Sequence, residues 1–212
     1  DMSWIGQLGW ILSVGTVGAI VAINVGHELI HKDPLIEQWA GGLLFACVTY
    51  GGFKVEHVRG HHVNVSTPED ASSSRYKQTL YQFLPHAYLH NFLNAWSLEA
   101  KKLKRKGKST FSLSNELIWW YGISFVFAGI CGALWGWAGI GYFFAQSFVA
   151  FSLLEIINYV EHYGLHRRKL ENGRYERTTV EHSWNSNYLL TNLFLFQLQR
   201  HSDHHANPKR RY

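Results

Sequence analysis

The sequence predicts an all-α integral membrane protein, a helical bundle with a histidine-rich site for two metal ions on its cytoplasmic side. Charged residues make up only 17% of the 212 residues and aromatic residues make up 16%, both unusual for a soluble domain. Long stretches of the chain carry no charge. The chain also contains 13 histidines, many of them in short clusters. Its length is that of one domain, and we treat residues 1–212 as a single domain.

Two uncharged runs predict the membrane-spanning helices. Residues 4–26 are long enough to cross the hydrocarbon core as one helix, which needs about 20 residues. Residues 117–154 are too long for one crossing and contain G-A-L-W-G-W-A-G near their middle, which predicts a tight turn at the interface. We therefore predict three spans, at about 4–26, 117–135 and 138–156. The alternative is that these runs are buried helices of a soluble core.

A shorter apolar stretch, about residues 38–53, is predicted to be an interfacial, re-entrant helix because it is short for a crossing. Its course matters because histidines precede and follow it. If this stretch crossed the membrane, His57 would emerge on the face opposite His27, and the two side chains could not share a site. We predict that it enters the membrane surface and returns to the same face.

Residues 76–106 are predicted to form a second interfacial helix, since apolar side chains recur there at helical spacing against polar ones. The basic run from Lys101 to Lys108 at its end indicates the cytoplasmic side, because cytoplasmic loops carry an excess of Lys and Arg. Nucleic-acid binding is the alternative for this run, but no base-reading motif accompanies it, and we predict no nucleic-acid partner. The predicted hairpin then returns the chain to the cytoplasm, where we expect residues 157–212 to stay.

The cysteine content excludes two classes of site. Cys47 and Cys131 are the two cysteines of the chain, and each lies alone in an apolar stretch. This pattern argues against a disulfide framework and against a CxxC redox site. We expect both to be reduced packing residues.

Histidines recur in four short segments, H-E-L-I-H, E-H-V-R-G-H-H, V-E-H-Y-G and R-H-S-D-H-H. Spacings of three to five residues keep neighbouring imidazoles close enough to share a metal ion. Nine imidazoles exceed what one metal accepts and suit two metals, at four or five each. Imidazole binds zinc, copper, iron and nickel, so the pattern alone does not select the metal. The candidate ligands are His27, His31, His57, His61, His62, His162, His201, His204 and His205.

Carboxylates stand close to these histidines in the sequence. Such groups commonly accept a hydrogen bond from the second ring nitrogen of a ligand and so fix its tautomer. The candidates for this role are Glu28, Glu56, Asp70, Glu161 and Asp203. The alternative is that they are ordinary surface acids.

The segment from His27 to His31 also matches H-E-x-x-H, the helical zinc motif of metalloproteases in which the glutamate is the general base. A protease of this kind uses two histidines and one further ligand. It leaves the other histidine clusters unexplained.

Four histidines fall outside the predicted ligand set. His86 and His90 follow a proline and lack flanking carboxylates, and we expect interfacial side chains. His166 lies beside two arginines and is expected to be exposed. Two roles are open for His182: it orients a ligand, or it caps the last helix.

The histidine segments, in this order, resemble the signatures of integral-membrane alkane 1-monooxygenases, within the wider class of histidine-rich di-iron membrane hydroxylases and desaturases. N-Y-V-E-H-Y-G-L and E-H-S-W-N-S-N are the more particular to the alkane enzymes, and the resemblance covers residues 20–212. It implies that the nine candidates bind two iron ions. It also implies six membrane helices, of which this chain supplies three, so we expect a fragment truncated at both ends.

The resemblance further implies a rubredoxin-dependent oxidoreductase of the bacterial inner membrane that uses O2 to hydroxylate the terminal methyl group of alkanes. No catalytic residue is expected beyond the ligands. Rubredoxin is acidic, and a basic surface formed by Lys101 to Lys108, Arg167, Arg168 and Lys209 to Arg211 would suit it or anionic lipid. Candidate walls of a substrate channel are residues 10–25 with Phe125, Phe144, Phe148 and Phe151. A desaturase or hydroxylase of fatty acyl chains is the alternative within the same class.

Overall fold

The computed structural model describes residues 2–210, and all the secondary-structure elements in this part of the chain are helices. An isolated antiparallel bridge pairs Lys169 with Tyr175. The all-α prediction is confirmed for this part of the chain. The α-helices are α1 (Trp4–Val17), α2 (Asn24–Ile30), α3 (Leu35–Ala46), α4 (Gly52–Glu56), α5 (His62–Asn64), α6 (Leu80–Arg105), α7 (Glu116–Glu161), α8 (Leu189–Phe194) and α9 (His201–Ala206). Two π-helical segments, Gly18–Ile23 and His57–His61, and a 3-10 helix, Val180–His182, complete the list.

Helix α1, the first π-helical segment and α2 form one continuous rod from Trp4 to Ile30. Ser3 caps its beginning, because its Oγ accepts a hydrogen bond from the Gly6 N–H at 3.2 Å. The rod continues past the predicted end at residue 26, and His27 therefore lies within its last helical turns. Its length and apolar composition are sufficient to cross a membrane.

Helix α7 is a hairpin of two arms. Gly136 interrupts it with φ 65° and ψ −157°, a conformation that glycine adopts without a steric penalty. The arms meet just beyond this turn, since a Cβ on Gly139 would collide with the carbonyl oxygen of Cys131. The predicted spans 117–135 and 138–156 fall within the two arms. Glu116–Glu161 is the second stretch long and apolar enough to cross a membrane.

The stretch after the rod turns back on itself. Helix α3 packs antiparallel to α2 so closely that a Cβ on Gly41 would lie 2.8 Å from the carbonyl oxygen of Gly26. The chain then reverses at residues 47–51, where Thr49 has a left-handed φ of 52°, and α4 leads back to His57. The predicted single helix at 38–53 is therefore wrong in extent: two shorter helices flank a reversal. The expected return of His57 to the side of His27 is found.

Both arms of the hairpin stabilise this reversal. The Ser124 hydroxyl donates to the carbonyl oxygen of Ala46 at 2.9 Å, and the Gln146 amide donates to that of Cys47 at 3.3 Å. The last carbonyl groups of a helix have no partner within the helix, so a buried helix end requires partners from neighbouring elements. Apolar packing completes the contact, with Ile23, Phe45 and Phe53 buried together.

Helix α6 lies against α4 and the hairpin through a stripe of buried side chains that includes Phe83, Ala87 and Leu103. It begins at Leu80, later than the predicted residue 76, because Thr79 and Gln82 form a capping box there. An ion-pair network fastens its far end to the second histidine segment. In it Arg59 lies 2.5 Å from both Glu99 and Glu116.

Candidate metal centre

The structure brings all nine candidate histidines together beneath the ends of the rod and the hairpin. They form two groups, and the nitrogens within each group lie within 4.8 Å of one another. Eight of the nine are buried, and His62 is half-buried. The five-histidine group consists of His27, His31, His57, His62 and His204, and the four-histidine group consists of His61, His162, His201 and His205.

The Nε2 atoms converge within each group. His57 Nε2 lies 2.8 Å from that of His27 and 3.1 Å from that of His62. In the other group, His201 Nε2 lies 3.0 Å from that of His162 and 2.9 Å from that of His205. Two nitrogens bound at right angles to one metal, at bonds of about 2.1 Å, are separated by about 3.0 Å. The observed separations are those of ligands around a shared ion.

The hydrogen bonds on the outer nitrogens fix where the ring protons lie. His61 Nδ1 is 2.8 Å from the Asp70 carboxylate, and His162 Nδ1 is 3.4 Å from the carbonyl oxygen of His182. Each acceptor requires the proton on Nδ1, so each Nε2 carries a lone pair that points into the group. His31 Nε2 is buried without a hydrogen-bond partner. Converging lone pairs and an orphaned nitrogen fit a metal ion in each group.

Burial keeps most of these rings neutral. It lowers the pKa of His57, His62, His204 and His205 well below the ordinary value, and the neighbouring histidines lower it further. For His61, burial acts in the same direction, but the Asp70 carboxylate outweighs it and raises the pKa. Neutral imidazole is the form that binds metal ions.

The backbone explains how neighbouring histidines are divided between the groups. His57 and His62 share the five-histidine group although they are five residues apart, whereas His61 belongs to the other group. The π-helical segment causes this, because the His62 N–H reaches the carbonyl oxygen of His57 and stacks positions five residues apart. In the ordinary α-helix α9, His201 and His205 share a group at a spacing of four.

Two of the predicted carboxylates lie beside ligand candidates. Asp70 contacts His61 and is held by the Ser73 hydroxyl at 2.5 Å. Glu161 Oε2 lies 3.3 Å from His201 Nδ1. The Asp70 carboxylate is positioned to orient the His61 imidazole, whereas Glu161 Oε2 and His201 Nδ1 are close but do not form a hydrogen bond.

The other three carboxylates have different partners. Glu28 forms an ion pair with Lys32 at 2.6 Å. Asp203 pairs with Arg210 at 2.7 Å. Glu56 accepts a hydrogen bond from Asn94 at 3.2 Å, and burial raises its pKa to about 8. These three acids therefore do not orient ligands as expected. Each adjoins a ligand candidate in the sequence, and adjacent side chains of a helix point in different directions.

The four remaining histidines lie outside both groups. His86 and His90 contact each other on α6, and His166 is exposed as expected. His182 is buried, and its Nδ1 accepts a hydrogen bond from the Thr179 N–H at 3.0 Å. It caps its own 3-10 turn rather than the last helix, and its carbonyl oxygen faces His162.

A buried polar network escaped the sequence reasoning. Glu155 is fully buried in the second arm of the hairpin and accepts hydrogen bonds from the Tyr50 hydroxyl and the Asn91 and Asn158 amides. The signal was available in part, because Glu155 is the first charge after the long neutral run. Its partners stand in ordinary contexts that carry no such signal.

An apolar cavity of about 360 Å³ lies between the rod and the second arm of the hairpin, and its lining includes Glu161, which is 3.3 Å from His201. Ile20, Ile23, Leu153 and Ile157 are among its walls. Asn24 and Glu161, at the histidine end, are polar members of its lining. Of the predicted wall aromatics, Phe125, Phe144 and Phe148 are exposed on the outer surface, and Phe151 lines a different cavity.

The sequence pattern of the fatty acid desaturase family matches residues 2–212. The chain belongs to this family. Its members' shared pattern therefore covers both histidine groups and all of the described helices.

Individual relatives are similar over nearly the whole chain. The chain is 72% identical to alkane 1-monooxygenase 2 of Pseudomonas aeruginosa over 209 residues, which is 99% of this chain and 55% of that protein. It is 70% identical to alkane 1-monooxygenase 2 of Alcanivorax borkumensis over 208 residues, 98% of this chain and 54% of that protein. A more distant relative, at 28% identity over 204 residues, is the xylene/toluene monooxygenase hydroxylase component XylM of Pseudomonas putida; the match covers 96% of this chain and 54% of that protein. The chain thus spans about half the length of these curated relatives.

Proposed function

We propose that this chain is the metal-binding part of a di-iron monooxygenase that hydroxylates the terminal methyl group of alkanes to a primary alcohol, using O2. The convergence of nine histidines into two groups carries the proposal. Relatives at 70% and 72% identity that are named alkane 1-monooxygenase support the substrate and the reaction. Because the chain spans about half of those proteins, the activity belongs to the complete enzyme.

The nine histidines are the proposed iron ligands, each through Nε2. The bound iron ions would supply activation of O2 and oxidation of the C–H bond. The residues of the chain hold the ions and orient the ligand imidazoles. Asp70 keeps the proton of His61 on Nδ1, the carbonyl oxygen of His182 does the same for His162, and Glu161 stands beside His201. No further side chain is required as acid, base or nucleophile.

The cavity between the rod and the hairpin is the proposed substrate site. Its apolar walls exclude water and accept a hydrocarbon chain. The inner end of the cavity is lined by Glu161, which lies beside His201. Methyl hydrogens are the hardest to remove from an alkane. A terminal product therefore requires that the walls present the chain end first, which positions it for attack.

We further propose a multi-pass protein of the bacterial inner membrane with three crossings in this chain and the metal centre on the cytoplasmic side. The rod and both arms of the hairpin supply the crossings. The basic run from Lys101 to Lys108 supports the orientation, and most of it is exposed.

Rubredoxin is the proposed electron donor, with electrostatic attraction to the same basic surface. Of the other cations in that prediction, Lys209 and Arg210 are engaged in ion pairs with Asp33 and Asp203, and Arg211 lies outside the described residues. The attraction predicts that electron transfer slows as salt concentration rises.

Two alternatives are less well supported. A fatty acyl desaturase or hydroxylase shares the metal chemistry, but the relatives named above are monooxygenases of hydrocarbons. A zinc metalloprotease would use His27 and His31 with Glu28 as general base. Three further histidines surround that pair, and Glu28 is engaged by Lys32.

The test uses the full-length enzyme in lipid nanodiscs, loaded with ferrous iron and supplied with reduced rubredoxin. We expect two irons per chain and 1-octanol from octane, with little turnover of an octanoyl substrate. His162→Ala should lower the iron content, and His166→Ala, an exposed control, should not. Full iron content in His162→Ala, or zinc at one ion per chain, would overturn the proposal.

A further inference from the structure

One aromatic ring separates Tyr50 from the five-histidine group. That ring belongs to Phe53, which stacks on His57 with centroids 4.5 Å apart and on Tyr50 with centroids 5.6 Å apart. The interplanar angles of the two pairs are 19° and 23°, and Phe53 is buried. A continuous stack of three rings therefore connects a candidate metal ligand with the Tyr50 phenol, and electrons cross such short contacts between packed rings readily.

The Tyr50 hydroxyl donates a hydrogen bond to Glu155, whose side chain is fully buried. Glu155 also accepts hydrogen bonds from the amide of Asn91 at 3.1 Å and from that of Asn158 at 3.2 Å. Three neighbours that all donate fit the ionised carboxylate, which is an acceptor only. The phenolic proton of Tyr50 is therefore already hydrogen-bonded to a base.

Tyr88 is a nearby tyrosine that lacks such a base. Its ring connects to that of Tyr50 through Phe151, with centroid separations of 5.4 Å and 5.0 Å. Its hydroxyl donates to the Ser152 hydroxyl at 2.8 Å, a group that does not take up a proton at neutral pH. A phenol that loses an electron becomes a strong acid, so oxidation of a tyrosine requires a partner that accepts the proton. Tyr50 has this partner in Glu155, whereas Ser152 cannot serve Tyr88 in the same way.

The proposed metal chemistry supplies an oxidant for Tyr50. An oxidant that attacks a terminal methyl group is strong enough to oxidise a phenol, because the phenolic O–H bond is weaker than the methyl C–H bond. Without an alkane, that oxidant attacks the protein around it. The Phe53 ring is harder to oxidise than a phenol and has no proton to release, so it serves as a bridge. Tyr50 does not line the proposed substrate cavity and does not compete with an alkane for space there.

We propose that Tyr50 is a redox-active residue that discharges the metal centre when O2 has oxidised it and no alkane is bound. One electron passes from the Tyr50 phenol through the Phe53 stack to the oxidised iron centre, which is reduced by one electron. The phenolic proton passes to Glu155, which leaves a neutral tyrosyl radical beside a neutral carboxylic acid. When the electron donor of the enzyme next reduces the centre, an electron and the proton return to Tyr50. The proposal rests on the proposed function in one respect, that O2 oxidises an iron centre here.

The test is electron paramagnetic resonance of the full-length, iron-loaded enzyme in nanodiscs, reduced chemically, mixed with O2 and frozen within milliseconds. Without alkane we expect a tyrosyl radical, whose signal narrows when the enzyme contains ring-deuterated tyrosine. Saturating octane should weaken the signal. Tyr50→Phe keeps the aromatic stack and should lose the signal, and Tyr121→Phe should keep it. Tyr121 is the matched control because it lines the same cavity as Tyr50 but stacks on Trp96. An equal signal in Tyr50→Phe, at equal iron content, would overturn the proposal.

Two further measurements examine the proton and the protective effect. Glu155→Gln keeps an oxygen that accepts from Tyr50 but is a far weaker base, and it should slow radical formation about 100-fold, as expected for a lost proton acceptor. Repeated reduction and oxidation without alkane should add oxygen to peptides from residues 53–62 faster in Tyr50→Phe than in the unsubstituted enzyme, as measured by mass spectrometry. Equal damage in these two enzymes, with no radical in either, would overturn the proposal even where Glu155→Gln fails to fold. A Tyr50 radical in an enzyme that does not hydroxylate octane would overturn the proposed function and leave this inference standing.

Discussion

His27 and His57 are 30 residues apart in the chain, and their Nε2 atoms lie 2.8 Å apart. The contact exists because the chain reverses between α3 and α4, so that it leaves His27 and returns beside it. Two lone pairs at this separation repel each other unless a proton, shared as an N–H···N hydrogen bond, or a metal ion lies between them. The packing of the re-entrant segment is therefore coupled to the proposed metal.

Removal of the metal should destabilise the enzyme. At a free iron concentration a thousandfold above Kd, binding contributes about 4 kcal/mol to the free energy of unfolding, which a chelator would remove. We expect a lower Tm for chelated full-length protein in detergent, restored by ferrous iron. An unchanged Tm after complete removal of iron would show that the histidine groups are not coupled to folding.

Asp70→Asn should weaken metal binding. The substitution removes the charged acceptor that orients His61, and losses of this kind lower metal affinity about 10- to 100-fold. Iron retained during titration with a chelator measures the effect. Asp203→Asn is the control, since Asp203 adjoins a ligand candidate in the sequence but pairs with Arg210. If both variants lose iron equally, orientation by Asp70 is not the cause.

Gly15→Leu should separate the rod from the hairpin. A Cβ at Gly15 would lie 2.6 Å from the Cβ of Val149, and glycine permits this close approach of two helices. We expect a loss of about 1–3 kcal/mol in the free energy of unfolding, typical of overpacking. Gly9→Leu is the control on the same helix, because a Cβ at Gly9 would meet nothing within 4 Å. Thermal unfolding of both variants in detergent measures the difference. Equal Tm values would contradict the close packing of the rod against the hairpin at Gly15.

Ile157→Trp should restrict the enzyme to shorter alkanes. Ile157 lines the cavity that reaches Glu161, and the larger side chain would occupy space proposed for the substrate. We expect the rate for the longest substrates to fall at least about tenfold, while shorter alkanes are still converted. Gas chromatography of the alcohols from a mixture of alkanes measures the shift. Phe148→Trp, exposed and outside that cavity, should leave the product profile unchanged.

Much of the site could be predicted from the sequence, because the spacing of the histidines and the lengths of the apolar runs can be read directly from the chain. The reversal before α4 was predicted from the requirement that His57 face His27. The sequence does not reveal which acids meet the rings: Asp203 adjoins His204 in the sequence but pairs with Arg210, whereas Asp70, eight residues beyond His62, points at an imidazole. Direction of a side chain depends on the path of the backbone.

The polar network illustrates a second limit. Tyr50, Asn91 and Glu155 come from three elements far apart in the chain, and no spacing connects them. Helical periodicity also failed at His57–His61, where a π-helical segment replaces the spacing of four with a spacing of five. Both features arise from tertiary packing.

The two histidine groups are interleaved along the chain. His57 and His62 belong to one group and His61 to the other, and α9 is divided in the same way between His204 and its neighbours His201 and His205. The first ion to arrive therefore holds the backbone segments that also present ligands to the second, and it lowers the entropy still to be lost when the second ion binds. Occupancy should consequently be cooperative, and cells starved of iron would contain a mixture of empty and filled molecules with few half-filled ones.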